Sequence, residues 1–309
     1  MKTISDSTYF VASILIVGVA LMVSAANAQT KASDAVVAPP AKKNRAPILL
    51  LPGEGQPDGE QNRWKVTAAE TLGAYSLRFS VHGIPGGGPE FHTHTNEDEA
   101  WYVLEGELSF QMGDDTLVGS PGSLVFSPRG VHHRYWNSGG TTAKYLMMFS
   151  PGGLEKMFQE RRAIPGRDPS KTTSEQSAEW KEKSEVISKK YGLREKAVTL
   201  LVRKAILVAP GDGAVNSSSG RVLISAEESL GAFTIMEFTS KPQSARDALN
   251  EVREDAAWYV INGELSFEIG DQKFVAPEGG FVLLPRGTRH RVWASGKVTT
   301  KFPLIRSPG

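Results

Sequence analysis

Apolar residues fall along most of the chain in short runs of roughly four to eight, rich in β-branched and aromatic side chains. Trp101 to Leu104, Leu108 to Met112 and Leu124 to Ser127 are such runs. Gly113-Asp114-Asp115, Gly270-Asp271 and Pro277-Glu278-Gly279 supply turn chemistry between runs of this kind. Many short strands at even spacing predict an all-β sandwich or barrel. Helical spacing is found in the middle of the chain. Leu154, Met157 and Phe158 predict a helix over 153–162, and Pro165, Gly166 and Pro169 predict a loop over 165–171. Trp180, Ile187 and Tyr191 lie near one face of a second helix predicted from Thr173 to Tyr191, stopped by Gly192. Both helices are expected to cover a barrel rather than to carry chemistry.

The first residues follow another pattern. Lys2 precedes an apolar run from Phe10 to Val23, and Ala26-Asn27-Ala28 has the small-x-small form of a cleavage site. The run is short for a membrane span, which needs about 20 residues. The pattern predicts an export signal over 1–28, cut after Ala28, with an uncleaved anchor helix as the alternative. Either places the body of the protein outside the cytoplasm, periplasmic or secreted. Residues 29–46, rich in Ala, Lys and Pro, are expected to be a disordered spacer.

An internal repeat organises the remainder. WYVLEGELSF at 101–110 returns as WYVINGELSF at 258–267, and PRGVHHRYW at 128–136 returns as PRGTRHRVW at 285–293, both offset by 157. Upstream, Leu72-Gly73-Ala74-Tyr75 matches Leu230-Gly231-Ala232-Phe233, and Ile48 to Gly55 matches Ile206 to Gly213, both offset by 158. The second copy has therefore lost one residue between these blocks. Copies of this length predict two domains, over 47–152 and 205–309, joined by a helical linker over 153–204.

Composition narrows the function classes. Lysine and arginine total 35 against 34 acidic residues, which argues against nucleic acid or an anionic membrane surface as partner. With no cysteine in the sequence, disulfides, zinc–thiolate sites and cysteine nucleophiles are excluded.

Candidate chemistry is concentrated in the first copy. His92 and His94 are spaced i, i+2, so on a strand they share a face, with Cα atoms about 6.6 Å apart. Two imidazoles so placed can converge on one ion with bonds of about 2.1 Å. Glu99 follows after the polar segment Thr95-Asn96-Glu97-Asp98, and His133 follows the turn Pro128-Arg129-Gly130. Of the six histidines in the sequence, three stand at these positions.

Gly86, His92, His94, Glu99 and Gly106 fill the pattern G-x5-H-x-H-x4-E-x6-G, and Gly122, Pro128, Gly130, His133 and Asn137 fill G-x5-P-x-G-x2-H-x3-N. Both motifs resemble those of the cupin superfamily, and the resemblance extends over roughly 47–309. It implies two tandem jelly-roll β-barrels, each with six or more strands. It also implies His92, His94, Glu99 and His133 as ligands of one divalent transition metal, Mn, Fe, Ni, Cu or Zn. His132, next to a ligand along a strand, is expected to face away. At an offset of 157, His92 becomes Leu249, His94 becomes Glu251, Glu99 becomes Ala256 and Asn137 becomes Ala294, whereas His133 keeps a counterpart in His290. The second barrel is therefore expected to hold no metal and to be kept for folding or pairing.

Four protein ligands leave one or two positions open on an octahedral ion, as a catalytic metal requires. If Glu99 points inward, so do Trp101 and Val103; if His133 does, so does Tyr135. Those three side chains either line a substrate pocket or fill the barrel core. The chain looks most like the quercetin 2,3-dioxygenase-like bicupins, in which a glutamate at the position of Glu99 takes a proton from a substrate hydroxyl. The resemblance thus implies a metal-dependent dioxygenase acting on a small organic molecule, of flavonol or enediol type. The alternatives are an oxalate-degrading or isomerising cupin enzyme and a non-catalytic binding or storage protein. A bicupin reproduces within one chain the pairing of single cupins, so a monomer and a homo-oligomer both fit, with no stable membrane insertion after signal cleavage. The intact mass of the exported protein is expected to correspond to a chain starting at Gln29; a mass that includes residues 1–28 would establish the anchor instead.

Overall fold

The computed structural model describes residues 45–83, 86–168, 171, 175–198, 203–217, 220–242 and 249–308. The export signal and most of the spacer lie outside these residues, as does Thr173 of the second expected helix. The described chain folds into four antiparallel sheets, two of seven strands, one of five and one of four. One seven-stranded sheet and the five-stranded sheet enclose the core of the first barrel, around Trp64, Trp101, Phe110, Met147 and Phe149. The other seven-stranded sheet and the four-stranded one enclose a second core around Trp258, Phe267, Val282, Leu284 and Leu304.

A third core lies between the barrels. Tyr102, Leu124, Phe126 and Met148 of the first copy pack there with Phe233, Ile235, Tyr259 and Phe281 of the second. Successive residues of a strand point to opposite faces, and strand Asp98–Glu105 uses both. Glu99, Trp101 and Val103 face the barrel interior, and Ala100 and Tyr102 face the partner barrel. Such a strand has no solvent face, so it reads as a near-continuous apolar run rather than an alternating one.

The barrels also exchange strands. Ile48–Leu50, at the start of the first copy, pairs with Phe281–Leu284 of the second, with Leu49 opposite Val282. Reciprocally, Ile206–Val208 pairs with Leu124–Ser127 of the first, with Leu207 opposite Val125. The division of the chain at 47–152 and 205–309 is corrected to this extent: each repeat gives its opening strand to the other's sheet. Both barrels belong to one compact unit.

Helix α1 (Glu155–Arg162) and helix α2 (Ala178–Lys190) form between the copies. Ser177 caps α2, its hydroxyl accepting from the backbone N–H of Trp180 at 3.2 Å. Leu154, Met157, Phe158, Ile187 and Tyr191 pack on the first barrel's core, as their spacing predicts. After α2 the chain forms a short strand, Leu193–Arg194, against His92–His94. The linker is thus helical only in part.

Phe281 is fully buried in the core between the barrels. Phe281→Ala is expected to cost about 3–5 kcal/mol, read by equilibrium denaturant unfolding; a loss within error of zero would mean that the barrels do not depend on one another.

Candidate metal centre

Two sheets supply the site. In the five-stranded sheet, His92–His94 lies between Leu193–Arg194 and His132–Asn137, with His92 opposite His133. Glu99 comes from the facing seven-stranded sheet, opposite Ser127. Their ligand atoms, one per residue, lie within 4.8 Å of one another. Nε2 of His94 is 3.1 Å and Nε2 of His133 3.2 Å from Oε2 of Glu99, and the Nε2 atoms of His92 and His94 are 3.2 Å apart. Donors about 2.1 Å from one ion are about 3.0 Å apart at right angles and about 3.4 Å apart at tetrahedral angles. The observed spacings match those values, so this donor set fits one small divalent ion.

Each imidazole is also held from behind. Nδ1 of His92 is 2.9 Å from the carbonyl of Glu90, Nδ1 of His133 is 2.9 Å from the carbonyl of Val131, and Nδ1 of His94 is 3.4 Å from a carboxylate oxygen of Glu97. All three acceptors call for a proton on Nδ1 and leave Nε2 to face the cluster, as metal ligation requires. Burial opposes charge on Glu99, but hydrogen bonds from His133 and His94 outweigh it and bring the carboxyl down to about 2. Burial likewise opposes a proton on His94, yet Glu97 and Glu99 together raise it to about 9. His92 is pushed well below the usual imidazole range by burial and by the neighbouring His133 and His94. The cluster therefore presents a carboxylate and a neutral His92, and the proton that His94 attracts marks where these carboxylates favour positive charge.

Of the three pocket candidates, Trp101 and Val103 are fully buried in the barrel core, while Tyr135 is half-buried. The Trp101 ring lies 5.7 Å from His133 and 5.4 Å from Tyr135. Trp258 stands in the same relation to His290, 5.8 Å away. His132 faces away from the cluster and stacks on Phe91 at 5.0 Å. Tyr145 donates to the Tyr135 hydroxyl at 3.3 Å, and Arg78 donates to Ser80 at 2.9 Å.

Sequence reasoning singled out Tyr135 but missed Arg78, Ser80, Tyr145 and Glu97. Arg78, Ser80, Tyr135 and Tyr145 occupy interior positions that the second copy fills with Met236, Phe238, Val292 and Phe302. Comparing the copies position by position, beyond the ligands, would have exposed this polar-for-apolar difference. Glu97 had no visible signal, because its role depends on the turn of the loop after His94.

The family model described as Cupin domain matches residues 80–149 and 237–305. The chain carries two cupin domains. No curated protein sequence matches this bicupin. Among solved structures, it is similar to the protein Ylba from E. coli, at 9% identity and a TM-score of 0.55 over 86% of this chain and 93% of that one. It is also similar to a mutant of the salicylate 1,2-dioxygenase from Pseudoaminobacter salicylatoxidans, at 12% identity and a TM-score of 0.54 over 87% and 86%. A Bacillus subtilis oxalate decarboxylase mutant matches at 16% identity and a TM-score of 0.51 over 80% and 72%. At these identities the likeness is one of fold.

The bicupin's second barrel corrects the alignment of the ligand positions. His290 pairs with Asn250, as His133 pairs with His92, and Gly287 donates to the carbonyl of Val252 at 2.7 Å, as Gly130 does to that of His94 at 2.8 Å. The counterparts of His92 and His94 are therefore Asn250 and Val252, not Leu249 and Glu251. Ala256 remains opposite Leu284, as Glu99 is opposite Ser127. The missing residue lies between Val252 and Ala256, in the loop joining the ligand strands. Glu251 is exposed. Among the described residues, a cluster able to hold a metal forms only in the first barrel.

Gly192 closes α2 at a φ of +84° and accepts at its carbonyl from the backbone N–H and hydroxyl of Thr95, at 3.0 and 2.8 Å. A side chain there would collide with Asn96 and Thr95. Gly192→Ala is expected to destabilise the fold by at least about 1–2 kcal/mol, the cost of the left-handed conformation alone, as measured by denaturant unfolding; no change would mean that this junction is not packed as described.

Proposed function

We propose that this bicupin is a metal-dependent oxidoreductase, most like the quercetinase-like dioxygenases, acting on a small organic substrate of flavonol or enediol type. The observation that carries the reading is the convergence of three Nε2 atoms and the Glu99 carboxylate within 4.8 Å on the inner face of one barrel. A divalent transition metal held by His92, His94, Glu99 and His133 would supply Lewis acidity and positions at which substrate and dioxygen can meet. Mn, Fe, Ni, Cu and Zn all suit three imidazoles and one carboxylate. In a dioxygenase both atoms of O2 enter the substrate, so no separate reductant is required.

The protein's own groups have definable parts. Oε2 of Glu99 lies within hydrogen-bond reach of both His94 and His133. Glu99 is the one carboxylate of the cluster, so it is the group placed to take a proton from a substrate hydroxyl. Trp101 and Val103 close the barrel beneath the cluster and exclude water. Tyr135, half-buried two residues from His133 on the same strand, is placed to contact a planar substrate. The segment preceding residue 29 supports a periplasmic or secreted location for this activity.

Metal content per chain, measured by mass spectrometry on wild type and Glu99→Ala, tests the reading. The expected result is one transition metal per wild-type chain and less in the variant, with oxygen uptake by the loaded wild type on flavonols or other enediols. Metal without oxygen uptake would leave a binding protein as the better account. No metal, even after reconstitution with Mn, Fe, Ni, Cu and Zn in turn, would overturn the enzyme reading.

A further inference from the structure

Asp98, one residue before Glu99, is buried at 1% exposure. Its Oδ1 accepts from the Arg203 guanidinium at 2.5 Å, from the backbone N–H of Arg129 at 2.9 Å and from Nε of Arg129 at 3.0 Å. Beyond Arg129 the chain serves two further ligands. Gly130 donates to the carbonyl of His94, and the carbonyl of Val131 holds Nδ1 of His133 at 2.9 Å. One buried carboxylate thus anchors the start of the Glu99 strand and the turn that fixes His94 and His133.

Arg203 does not belong to the first repeat. It lies in the arm that leads into the second copy, with its guanidinium also donating to the carbonyl of Glu228 at 2.5 Å and lying over the Phe126 ring at 5.7 Å. It is the more sheltered of the two cations on Asp98, its side chain 23% exposed against 39% for Arg129. The arrangement has a reciprocal. Arg45, in the arm leading into the first copy, reaches Asp255 of the second barrel at 2.5 Å and the carbonyl of Glu70 at 2.6 Å, and Arg286 donates its N–H to Asp255 at 2.9 Å. The same scaffold therefore surrounds two barrels, only one of which has the ligands.

We propose that Arg203 is a positioning residue for the metal centre, through which the second repeat sets the metal affinity of the first barrel. This rests on reading the four-residue cluster as a metal site. Removing Arg203 leaves a buried carboxylate compensated mainly by a more exposed arginine, and a buried charge that loses a partner moves toward water or another cation. Any such movement carries Glu99 with it and loosens the turn behind His94 and His133. Metal–ligand distances in a well-formed site lie within about 0.2 Å of their usual values, so a displaced ligand is read in affinity.

The test is the Zn(II) dissociation constant of the full chain by competition with a chromophoric chelator, with the Co(II) absorption spectrum as a second readout. Arg203→Ala is expected to weaken Zn(II) binding about tenfold or more, the usual scale for a partner behind the ligands, and to alter the Co(II) spectrum. Arg203→Lys is expected to recover part of the loss. Arg45→Ala removes the equivalent contact at the other barrel and is expected to leave both readouts at wild-type values, while lowering thermal stability as Arg203→Ala does. Wild-type affinity in a folded Arg203→Ala protein would overturn the inference, as would equal losses in the two alanine variants. If Arg203→Ala does not fold, Asp98→Asn, whose amide oxygen can still accept from Arg203 and Arg129 but no longer carries the charge that pairs them, replaces it with the same expected loss and the same overturning result. A wild type that binds no metal would instead overturn the metal-site reading on which the inference rests.

Discussion

Burial on both faces of one strand is the constraint from which this structure follows. Strand Asp98–Glu105 has to satisfy the first barrel's interior with Glu99, Trp101 and Val103 and the neighbouring barrel with Ala100 and Tyr102. Its period of two leaves it only one workable register, because a slip of one residue would drive Glu99 into an apolar interface and Tyr102 into the barrel. The same strand therefore fixes how the barrels pair and where the only carboxylate of the ligand cluster stands. At its far end, Tyr102 donates to Glu237 of the second copy, which Lys301 also approaches at 3.1 Å.

The contrast between the barrels shows what an interior with a cluster of three histidines and a glutamate demands of a common fold. Both keep the turn hydrogen bonds, the buried aspartate and the tryptophan beside the last histidine. Only the first keeps the extra loop residue, the clustered His92, His94 and Glu99, and an interior with Arg78, Ser80, Tyr135 and Tyr145. In the second, aliphatic and aromatic side chains fill those places, giving a more apolar core in which His290 remains beside Trp258. An interior freed from holding ligands can be optimised for packing, and its contribution passes to the other barrel through the interface and the arms.

Much of this was legible in the sequence, because the signals were local and doubled. Strand runs, turns, both helices and the four clustered residues all sit within short motifs, and the repeat showed which features belong to the fold. What stayed hidden depends on long-range placement. Ile48–Leu50 and Ile206–Val208 look like the first strands of their own barrels, and nothing in either run says which sheet it will join. Arg45 and Arg203 are single charges in arms without periodicity, and their partners lie 210 and 105 residues away. The misplaced counterparts of His92 and His94 came from a missing loop residue that spacing alone could not locate; backbone pairing of Asn250 with His290 does.

The exchanged strands bear on how the chain is made. The edge formed by Leu124–Ser127 is complete only when Ile206–Val208 lies against it. A nascent chain therefore cannot finish its first sheet until the opening of the second repeat has been synthesised, and until then it carries an uncovered apolar edge of the kind that recruits other chains. The link between the repeats is thus also a link in time, in which the barrel made first waits for the barrel made last.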